Sequence, residues 1–282
     1  MIKIIFLILI YLTLCSTYAS NVYVQDTAAT HSTPLKHLSS WLFYHPKKHA
    51  DLLSAQTHDR YIALTIDDLP FVGEAKSLHL NLIIDTLKNN KIPATGFVIT
   101  REITKANWPA LMRFKEAGLS IGNHSHSHKN INNIETEAYL RDQFDIADTI
   151  LEPIITSPKF YRFPYMNMST GLKKERIINY LISKEYHIAP ITIDSKDFLF
   201  NQLLLDVPEK DRRNFLTIMK ASYINFIWEQ TLKAESLHTN NRAQILLIHA
   251  NLLNAYVLQD IIDLYHSKGY KFITLQQALG IV

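Results

Sequence analysis

The chain has 282 residues, of which 47% are hydrophobic and 20% are charged, and its formal net charge is +3. This is an ordinary globular composition, sufficient for one large domain or two small ones. So small a net charge, without a sustained stripe of Lys and Arg, argues against a protein that binds nucleic acid.

The first 19 residues have the layout of a secretory signal peptide. One lysine precedes an apolar run, and Thr17 and Ala19 stand at the −3 and −1 positions of a cleavage site after Ala19. We expect an exported protein, periplasmic or extracellular, with no stable membrane span after cleavage, because the run is short for one. An uncleaved anchor is the alternative. Cys15 is the only cysteine, so any metal site of the mature chain must use His, Asp or Glu.

Residues 20–58 show little periodicity and are interpreted as an N-terminal linker or extension. Residues 59–282, interpreted as the catalytic domain, alternate short apolar runs with helical patterns. The predicted strands cover residues 61–66, 94–99, 119–122, 159–163, 187–193, 244–249 and 271–273. The predicted helices cover about 76–90, 106–117, 135–151, 171–184, 208–238, 254–267 and 274–279. About seven such units predict a parallel sheet with helices outside it, either a barrel or an open doubly wound sheet.

Two carboxylates follow the first predicted strand, in the segment TIDDLP. Active residues of parallel α/β folds gather at the carboxyl ends of the strands. Asp67 and Asp68 are adjacent, so on an extended chain they point in different directions. One carboxylate could therefore bind a metal while the other acts as a base. The alternative interpretation is a turn or helix-cap carboxylate before Pro70.

Three histidines follow the third predicted strand, in the segment HSHSH. His124 and His128 are four residues apart, which in a helical turn places both imidazoles on one face, while His126 points away. With Asp68 they would supply two nitrogens and one oxygen and leave a coordination position open. That is the layout of a catalytic zinc site and not of a closed structural one. A solvated polar turn is the alternative.

Charged residues also follow the next three predicted strands. Arg162 lies in FYRFPYMN and could form a bidentate pair with a carboxylate. Asp194 and Asp197 lie in TIDSKDF, and Asp197 is the better partner for Arg162. His249 ends QILLIHAN in the same layer of strand ends, which favours a general acid. The alternatives are a surface arginine, loop carboxylates and a core histidine.

Five of these segments resemble the motifs of the polysaccharide deacetylase family, the carbohydrate esterases related to nodulation-factor, chitin and peptidoglycan deacetylases. TIDDLP is similar to Thr-Phe-Asp-Asp-Gly-Pro, HSHSH to His-(Ser/Thr)-x-x-His, and RFPY to Arg-x-Pro-x. DSKDF is similar to Asp-x-x-Asp-Trp, and LLIH to Leu-x-Leu-His. The resemblance covers roughly residues 60–280, with the motifs in the family's order. It implies a distorted (β/α)7 barrel with parallel strands.

The resemblance also implies catalytic roles. Asp67 would be the general base, Arg162 would orient it with Asp197 behind, and His249 would be the general acid. The implied ligands of a divalent metal, with zinc first and cobalt or nickel open, are Asp68, His124 and His128. The chemistry agrees, because amide hydrolysis needs an activated water and a proton for the leaving amine.

The substrate-binding residues implied by the resemblance depart in part from the family's pattern. The main-chain amide of Tyr165 would help to hold the oxyanion, and Phe198 and Leu247 would line a pocket for the acetyl methyl. Leu69 replaces a motif glycine, Met166 replaces a glycine common after the tyrosine, and Phe198 replaces a tryptophan. These changes remove no reacting group, but they leave the shape of the substrate cleft open.

The expected function is therefore that of a secreted, metal-dependent hydrolase that removes acetyl groups from N-acetylated sugar polymers of the peptidoglycan or chitin type. Its expected partner is an acetylated polysaccharide. An O-acetyl polysaccharide esterase with the same site is one alternative, and a catalytically inactive carbohydrate-binding relic is another. The predicted helix at 208–238 is unusually long and rich in aromatic residues, and we expect it to pack against the core.

Overall fold

The computed structural model describes residues 59–70, 77–237 and 243–281. The predicted signal peptide and the extension at 20–58 lie outside these residues. Within the described ranges, none of the helices combines the length and the apolar character that a membrane crossing requires.

In the described part of the chain, eight parallel strands form one sheet. They are β1 (Arg60–Leu69), β2 (Ala94–Val98), β3 (Ser120–Asn123), β4 (Lys159–Tyr161), β5 (Tyr186–Ile188), β6 (Ile193–Asp194), β7 (Gln244–His249) and β8 (Tyr270–Phe272). Their order is β5-β4-β3-β2-β1-β7-β6, and β8 also pairs with β1. The central strand β1 lies between β2 and β7, and Ile62, Ala63 and Ile66 are fully buried. A parallel strand covered on both faces reads as a continuous apolar run, as YIALTI does.

Helices surround this sheet. They are α1 (Ser77–Asn90), α2 (Trp108–Glu116), α3 (Thr136–Tyr139), α4 (Ile146–Leu151), α5 (Gly171–Ser183), α6 (Asp197–Leu205), α7 (Glu209–Leu237), α8 (Leu252–Ser267) and α9 (Leu275–Ala278). A π-helical turn, Leu140–Asp145, joins α3 to α4. The parallel sheet and its helices confirm the predicted distorted (β/α)7 barrel.

The distortion lies at the fifth predicted strand. Residues 187–193 form two short strands, β5 and β6, which pair with opposite edges of the sheet. Ala189 N donates to Tyr161 O at 2.9 Å, whereas Thr192 N donates to Ile245 O at 3.0 Å. Pro190 between them has no N–H with which to continue a ladder, so the strand breaks there. The same short segment therefore contacts both edges of the sheet.

Two helices differ in how well the sequence predicts them. α6 was not predicted, because DFLFNQLLL is nearly continuous in apolar residues and shows no polar face. The long helix at 208–238 is confirmed as α7. Its buried residues recur at about every fourth position, so they form one stripe that faces the core. They are Met219, Tyr223, Ile227, Thr231 and Ala234.

The sheet register brings the predicted site residues to one end of the barrel. Asp67 of β1 is directly opposite His249 of β7, and Asn123 at the end of β3 is opposite Tyr161 at the end of β4. The residues that follow, His124 and Arg162, therefore start from neighbouring strand ends. Close packing beneath them requires Gly122, because a Cβ there would lie 2.7 Å from the Phe97 ring.

Candidate active site

Asp68, His124 and His128 converge on one point at the carboxyl end of the barrel. Asp68 Oδ1 lies 3.2 Å from His124 Nε2 and 3.5 Å from His128 Nε2, and one ligand atom from each residue lies within 4.8 Å of the others. Ligands about 2.0–2.1 Å from a tetrahedral ion are separated by about 3.3 Å. The spacing between Asp68 and both imidazoles therefore fits a small divalent cation.

The protonation of His124 also favours a cation at this point. His124 Nδ1 lies 2.7 Å from the main-chain oxygen of Arg162, which can only accept, so Nδ1 carries a proton. Nε2 is therefore the nitrogen that faces Asp68 Oδ1, a buried oxygen 3.2 Å away. An imidazole nitrogen and a carboxylate oxygen at this distance need a proton or a metal ion between them. The donor set of two imidazoles and one carboxylate suits zinc.

The pKa values around the cluster follow from burial and charge. Burial opposes ionisation of Asp68, but the hydrogen-bonding contact and charge of His124, with the other imidazoles, hold the pKa of Asp68 well below its usual range. Burial also lowers the pKa of His124, yet the carboxylates of Asp67 and Asp68 outweigh it and raise that pKa. Burial lowers the pKa of His128 to about 4. The His128 imidazole is therefore neutral at pH 7 and can act as a ligand.

The histidine segment is a loop and not the predicted helical turn. Ser125 and His128 adopt positive φ values of 70° and 53°, and Ser125 Oγ accepts a hydrogen bond from His128 N at 3.1 Å. This compact turn, rather than helical periodicity, brings the two outer imidazoles together, with ring centroids 4.9 Å apart. His126 faces elsewhere, with Nδ1 2.9 Å from Thr100 Oγ1.

The π-helical turn at Leu140–Asp145 supports this loop. The main-chain oxygen of Gln143 accepts a hydrogen bond from His126 N at 2.8 Å. Its side-chain Oε1 accepts bonds from Ser127 N at 3.0 Å and from Ser127 Oγ at 2.9 Å. π-helical turns within α-helices occur frequently at functional sites. Here the turn fixes the centre of the loop whose two ends carry His124 and His128.

Asp67 lies beside the cluster and is paired with Arg162. Arg162 Nη1 lies 3.4 Å from both carboxylate oxygens of Asp67, and Asp67 Oδ2 is 3.8 Å from His124 Nε2. Arg162 is fully buried. It also donates to Thr65 Oγ1 at 3.2 Å, and its guanidinium stacks on Phe97 at 4.6 Å. Asp67 thus faces a fixed cation, whereas Asp68 faces the imidazoles.

The predicted pairing of Arg162 with Asp197 is wrong. Asp197, which is fully buried at the start of α6, instead faces His249. Its Oδ1 lies 2.7 Å from His249 Nδ1, and its Oδ2 accepts a hydrogen bond from His249 N at 2.7 Å. The reason is the sheet order. β6 is hydrogen-bonded to β7 at the edge opposite β4, so the residue that follows β6 meets the end of β7.

His249 points into the site with its other nitrogen. Nε2 lies 3.9 Å from Asp68 Oδ2. Burial lowers the pKa of His249, but the carboxylate of Asp197 and the nearby Asp68 and Asp67 raise it to about 10. His249 is thus protonated at pH 7, and Asp197 orients the ring.

The predicted substrate residues surround these groups. The Tyr165 ring lies against His128 with centroids 4.6 Å apart and the rings tilted by 57°. Tyr165 is 64% exposed and has a φ of 56°. Phe198 is half-exposed and meets the His249 ring edge-on at 6.3 Å. Leu247 is buried two residues before His249, on the same face of β7. Leu69, which replaces a motif glycine, is buried against Gly96 and does not enter the cleft.

Sequence reasoning missed three polar residues that support the site. Asn251 and Asn254 both donate side-chain hydrogen bonds to Asp197, and Gln143 supports the histidine loop. Asn251 also caps α8, where its side chain accepts a hydrogen bond from Asn254 N. Asparagine just before an apolar helical pattern is a cap signal, but nothing in the sequence indicates the second contact with Asp197.

The arrangement places two ionisable pairs on two sides of one centre, as hydrolysis of an acyl bond requires. Asp67 is paired with Arg162 and His249 with Asp197, and each pair has an atom within 4 Å of the proposed ligands His124 and Asp68 respectively. One pair presents a carboxylate and the other an imidazole. A reaction that removes a proton at one side of the centre and adds one at the other suits this geometry.

Known proteins are similar to this chain in sequence. Residues 54–180 match the family model for polysaccharide deacetylases. A chitin deacetylase from Colletotrichum lindemuthianum is 25% identical over 230 residues, which are 79% of this chain and 81% of the relative. A peptidoglycan-N-acetylglucosamine deacetylase from Bacillus cereus is 28% identical over 161 residues, or 56% of this chain and 52% of the relative. The match thus spans about half the length of the second relative.

A solved structure extends the likeness to the fold. A mutant of a pseudoenzyme of carbohydrate esterase family 4 from Bacillus anthracis, described as having restored enzymatic activity, superposes with a TM-score of 0.59 at 20% identity. The alignment covers 78% of this chain and 68% of that one. At this identity the likeness shows the shared fold alone.

Proposed function

Because the chain belongs to the polysaccharide deacetylase family, carbohydrate esterase family 4, we propose that it removes acetyl groups from an N-acetylated sugar polymer of the chitin or peptidoglycan type. One observation carries this proposal. The cluster of Asp68, His124 and His128 lies between an Asp–Arg pair and an Asp–His pair. A candidate base and a candidate acid for the two proton transfers of amide hydrolysis therefore lie beside the same cluster.

Asp68, His124 and His128 would hold a divalent metal, with zinc first and cobalt or nickel as alternatives that suit the same ligands. Such an ion lowers the pKa of a water molecule and polarises the acetyl carbonyl. Its ligands come from two segments, the end of β1 and the loop after β3. The Nδ1 contact of His124 with Arg162 O fixes which nitrogen faces the ion.

In the proposed reaction Asp67 removes a proton from the attacking water. Arg162 keeps the Asp67 carboxylate oriented, because its guanidinium is itself held by Thr65 and Phe97. His249 gives its Nε2 proton to the leaving nitrogen as the carbon–nitrogen bond breaks, and Asp197 holds the ring from behind. The main-chain amide of Tyr165 would help to stabilise the oxyanion, and Phe198 and Leu247 would border the acetyl methyl.

Acetate release tests the function. The purified protein, with its metal content measured on the same sample, should release acetate from N-acetylglucosamine oligomers of chitin or peptidoglycan origin. Acetylated xylan should react more slowly under the same conditions. Release from xylan alone would identify an O-acetyl esterase, and release from neither would identify an inactive relic.

His249→Ala tests the proposed acid. The variant should lower kcat on an acetamido sugar by about a hundredfold or more, since a positioned acid contributes about that factor. It should have a smaller effect on an activated aryl acetate, whose leaving group departs without a proton. His266→Ala, a histidine replacement on α8, should change neither rate. Equal losses on both substrates would require a different proton donor.

We also propose that the protein is exported. The support is the signal-like segment at 1–19, together with relatives named as a chitin deacetylase and a peptidoglycan-N-acetylglucosamine deacetylase. Mass spectrometry of protein from its host should find an N-terminus near Ser20. Recovery of the intact chain from the cytosol, still beginning at Met1, would contradict both the cleavage and the export.

A further inference from the structure

The carboxylate of Asp197 is surrounded by hydrogen-bond donors. Its Oδ1 meets His249 Nδ1 at 2.7 Å. Its Oδ2 accepts from His249 N at 2.7 Å, from Asn251 Nδ2 at 2.9 Å, and from Asn254 Nδ2. All four donors come from the end of β7 and the start of α8. They fix the plane of the carboxylate, and therefore the direction in which Oδ1 faces His249.

Asn254 is the donor whose own orientation is most constrained. It is fully buried, and its Nδ2 donates to His249 O at 3.0 Å as well as to Asp197. Its Oδ1 accepts a hydrogen bond from Tyr223 Oη at 3.1 Å. An amide whose oxygen is held by a hydroxyl must turn its NH2 group the other way. The main-chain oxygen of His249 can only accept, so Asn254 presents its NH2 group to His249 O and Asp197, and Tyr223 holds the amide oxygen from the other side.

Tyr223 belongs to α7, the long helix whose role the catalytic groups do not explain. The ring is fully buried, and its centroid lies 5.0 Å from that of Phe200 on α6. The hydroxyl thus has little freedom to move away from Asn254. A continuous path of contacts leads from the core face of α7 through Asn254 and Asp197 to His249.

We propose that Asn254, oriented by Tyr223, is a positioning residue for His249. By holding Asp197 and the main chain of His249 at once, it directs Nε2 of His249 towards the leaving nitrogen. This inference rests on the proposed deacetylase function and on the role of His249 as the acid. It adds that α7 serves the reaction and does not only cover the core.

A purely structural role for Asn254 would not require its side-chain amide. The start of α8 is already capped by the Asn251 side chain, which accepts from Asn254 N at 2.9 Å. An apolar side chain of the same size would fill the volume of Asn254 equally well. What only an amide supplies is a pair of donors to Asp197 and His249 O. Loss of that pair should displace the acid and leave the proposed base and metal ligands in place.

The first experiment compares Asn254→Leu with Asn201→Leu. Asn201 is a buried asparagine of α6 whose Oδ1 accepts a hydrogen bond from Leu253 N at 3.0 Å, so its replacement also loosens the start of α8. Asn254→Leu should lower kcat on an N-acetylglucosamine oligomer by about 10- to 100-fold, as supporting residues of active sites do, with KM nearly unchanged. The rate on an aryl acetate should fall by less than about threefold.

Asn201→Leu should not change the ratio of the rate on the oligomer to the rate on the aryl acetate. A matching ratio in the two asparagine variants, or an equal loss on both substrates in Asn254→Leu, would overturn the proposal.

The second comparison tests the contribution of α7. Tyr223→Phe removes the hydroxyl that holds the side-chain oxygen of Asn254. Tyr265→Phe, on α8, removes a buried hydroxyl that lies 2.8 Å from Thr231 Oγ1 of α7. Tyr223→Phe should lower the rate on the oligomer by about three- to tenfold, with a smaller loss on the aryl acetate. Tyr265→Phe should leave the ratio of rates unchanged. Equal ratios in these two variants would remove Tyr223 from the proposal.

A proton NMR measurement separates this inference from the proposed function. A hydrogen bond from His249 Nδ1 to a buried carboxylate should give a strongly downfield proton resonance, which Asp197→Asn abolishes. That resonance should shift or broaden in Asn254→Leu and persist in Asn201→Leu. If the wild-type protein shows it but releases no acetate, the proposed function fails while the positioning is still measured. An unchanged resonance in Asn254→Leu would refute the positioning, whatever the activity.

Discussion

Asp67→Asn is expected to lower kcat by about a hundredfold or more, both on an acetamido sugar and on an aryl acetate, because both substrates need the water deprotonated. The bound metal should remain at the wild-type level. Asp67 faces Arg162 through both oxygens and reaches only His124 among the proposed ligands, at 3.8 Å. Asparagine keeps an oxygen for Arg162 and removes the basic group.

The neighbouring substitution, Asp68→Asn, is the matched control for this experiment. Asp68 adopts a φ of 60°, a conformation that asparagine tolerates as well as aspartate does. Metal should be lost in Asp68→Asn and retained in Asp67→Asn, although the two residues are adjacent. Elemental analysis and acetate release on the same preparations measure both. Full activity in Asp67→Asn, or loss of metal in that variant, would contradict the assignment.

Asp67→Asn should also reduce stability. Removal of one partner of a buried ion pair leaves the other charge uncompensated and costs about 3–5 kcal/mol. The lower end, about 3 kcal/mol, is expected, because Arg162 keeps its contacts with Thr65, Pro190 O and Phe97. Urea unfolding provides this value. Rates should be measured under conditions in which the variant is fully folded, well below its lowered urea midpoint. A loss of rate then reports the loss of the base and not a fraction of unfolded protein.

The sequence predicted which residues gather at the site, because strand ends of a parallel sheet meet at one edge. It could not predict which of them pair. Asp197 follows β6 and Arg162 follows β4, and a pairing between them requires these strands to be neighbours. The sheet order places β6 beside β7, so Asp197 meets His249. Sheet order depends on long-range contacts, which apolar periodicity does not encode.

The local conformations that the sequence missed have different causes. The loop 124–128 brings two imidazoles together through positive φ at Ser125 and His128, a backbone choice that Ser125 Oγ and Gln143 stabilise from outside the motif. The break within residues 187–193 carried a signal, because Pro190 cannot continue a ladder. α6 carried none, since its residues are apolar on nearly all sides.

The departures from the family's motifs have a packing explanation in one case. Leu69 replaces a motif glycine but points into the core, where a Cβ on Gly96 would lie 2.3 Å from its methyl group. The small residue on β2 thus accommodates the large one on β1. The expected change of cleft shape at this position therefore does not occur, because the side chain does not reach the cleft.

The double variant His124→Ala with His128→Ala is expected to abolish metal binding. The wild-type chain should hold about one divalent ion, and removal of both imidazole ligands leaves Asp68 alone, too few protein ligands for a tight zinc site. His126→Ala is the control, because this histidine lies in the same loop but faces Thr100 at 2.9 Å. Its metal content should stay near that of the wild type. Equilibrium dialysis followed by elemental analysis measures all three proteins.

Thermal and chemical unfolding give a second readout that does not depend on activity. A metal at about a thousand times its Kd should stabilise the wild-type protein and His126→Ala by about 4 kcal/mol, and it should not stabilise the double variant. Without metal the double variant should be no more stable than the wild type, because it removes the buried His124 ring and the partly buried His128 ring that contact Asp68. Metal-induced stabilisation that survived in the double variant would place the ion elsewhere in the chain.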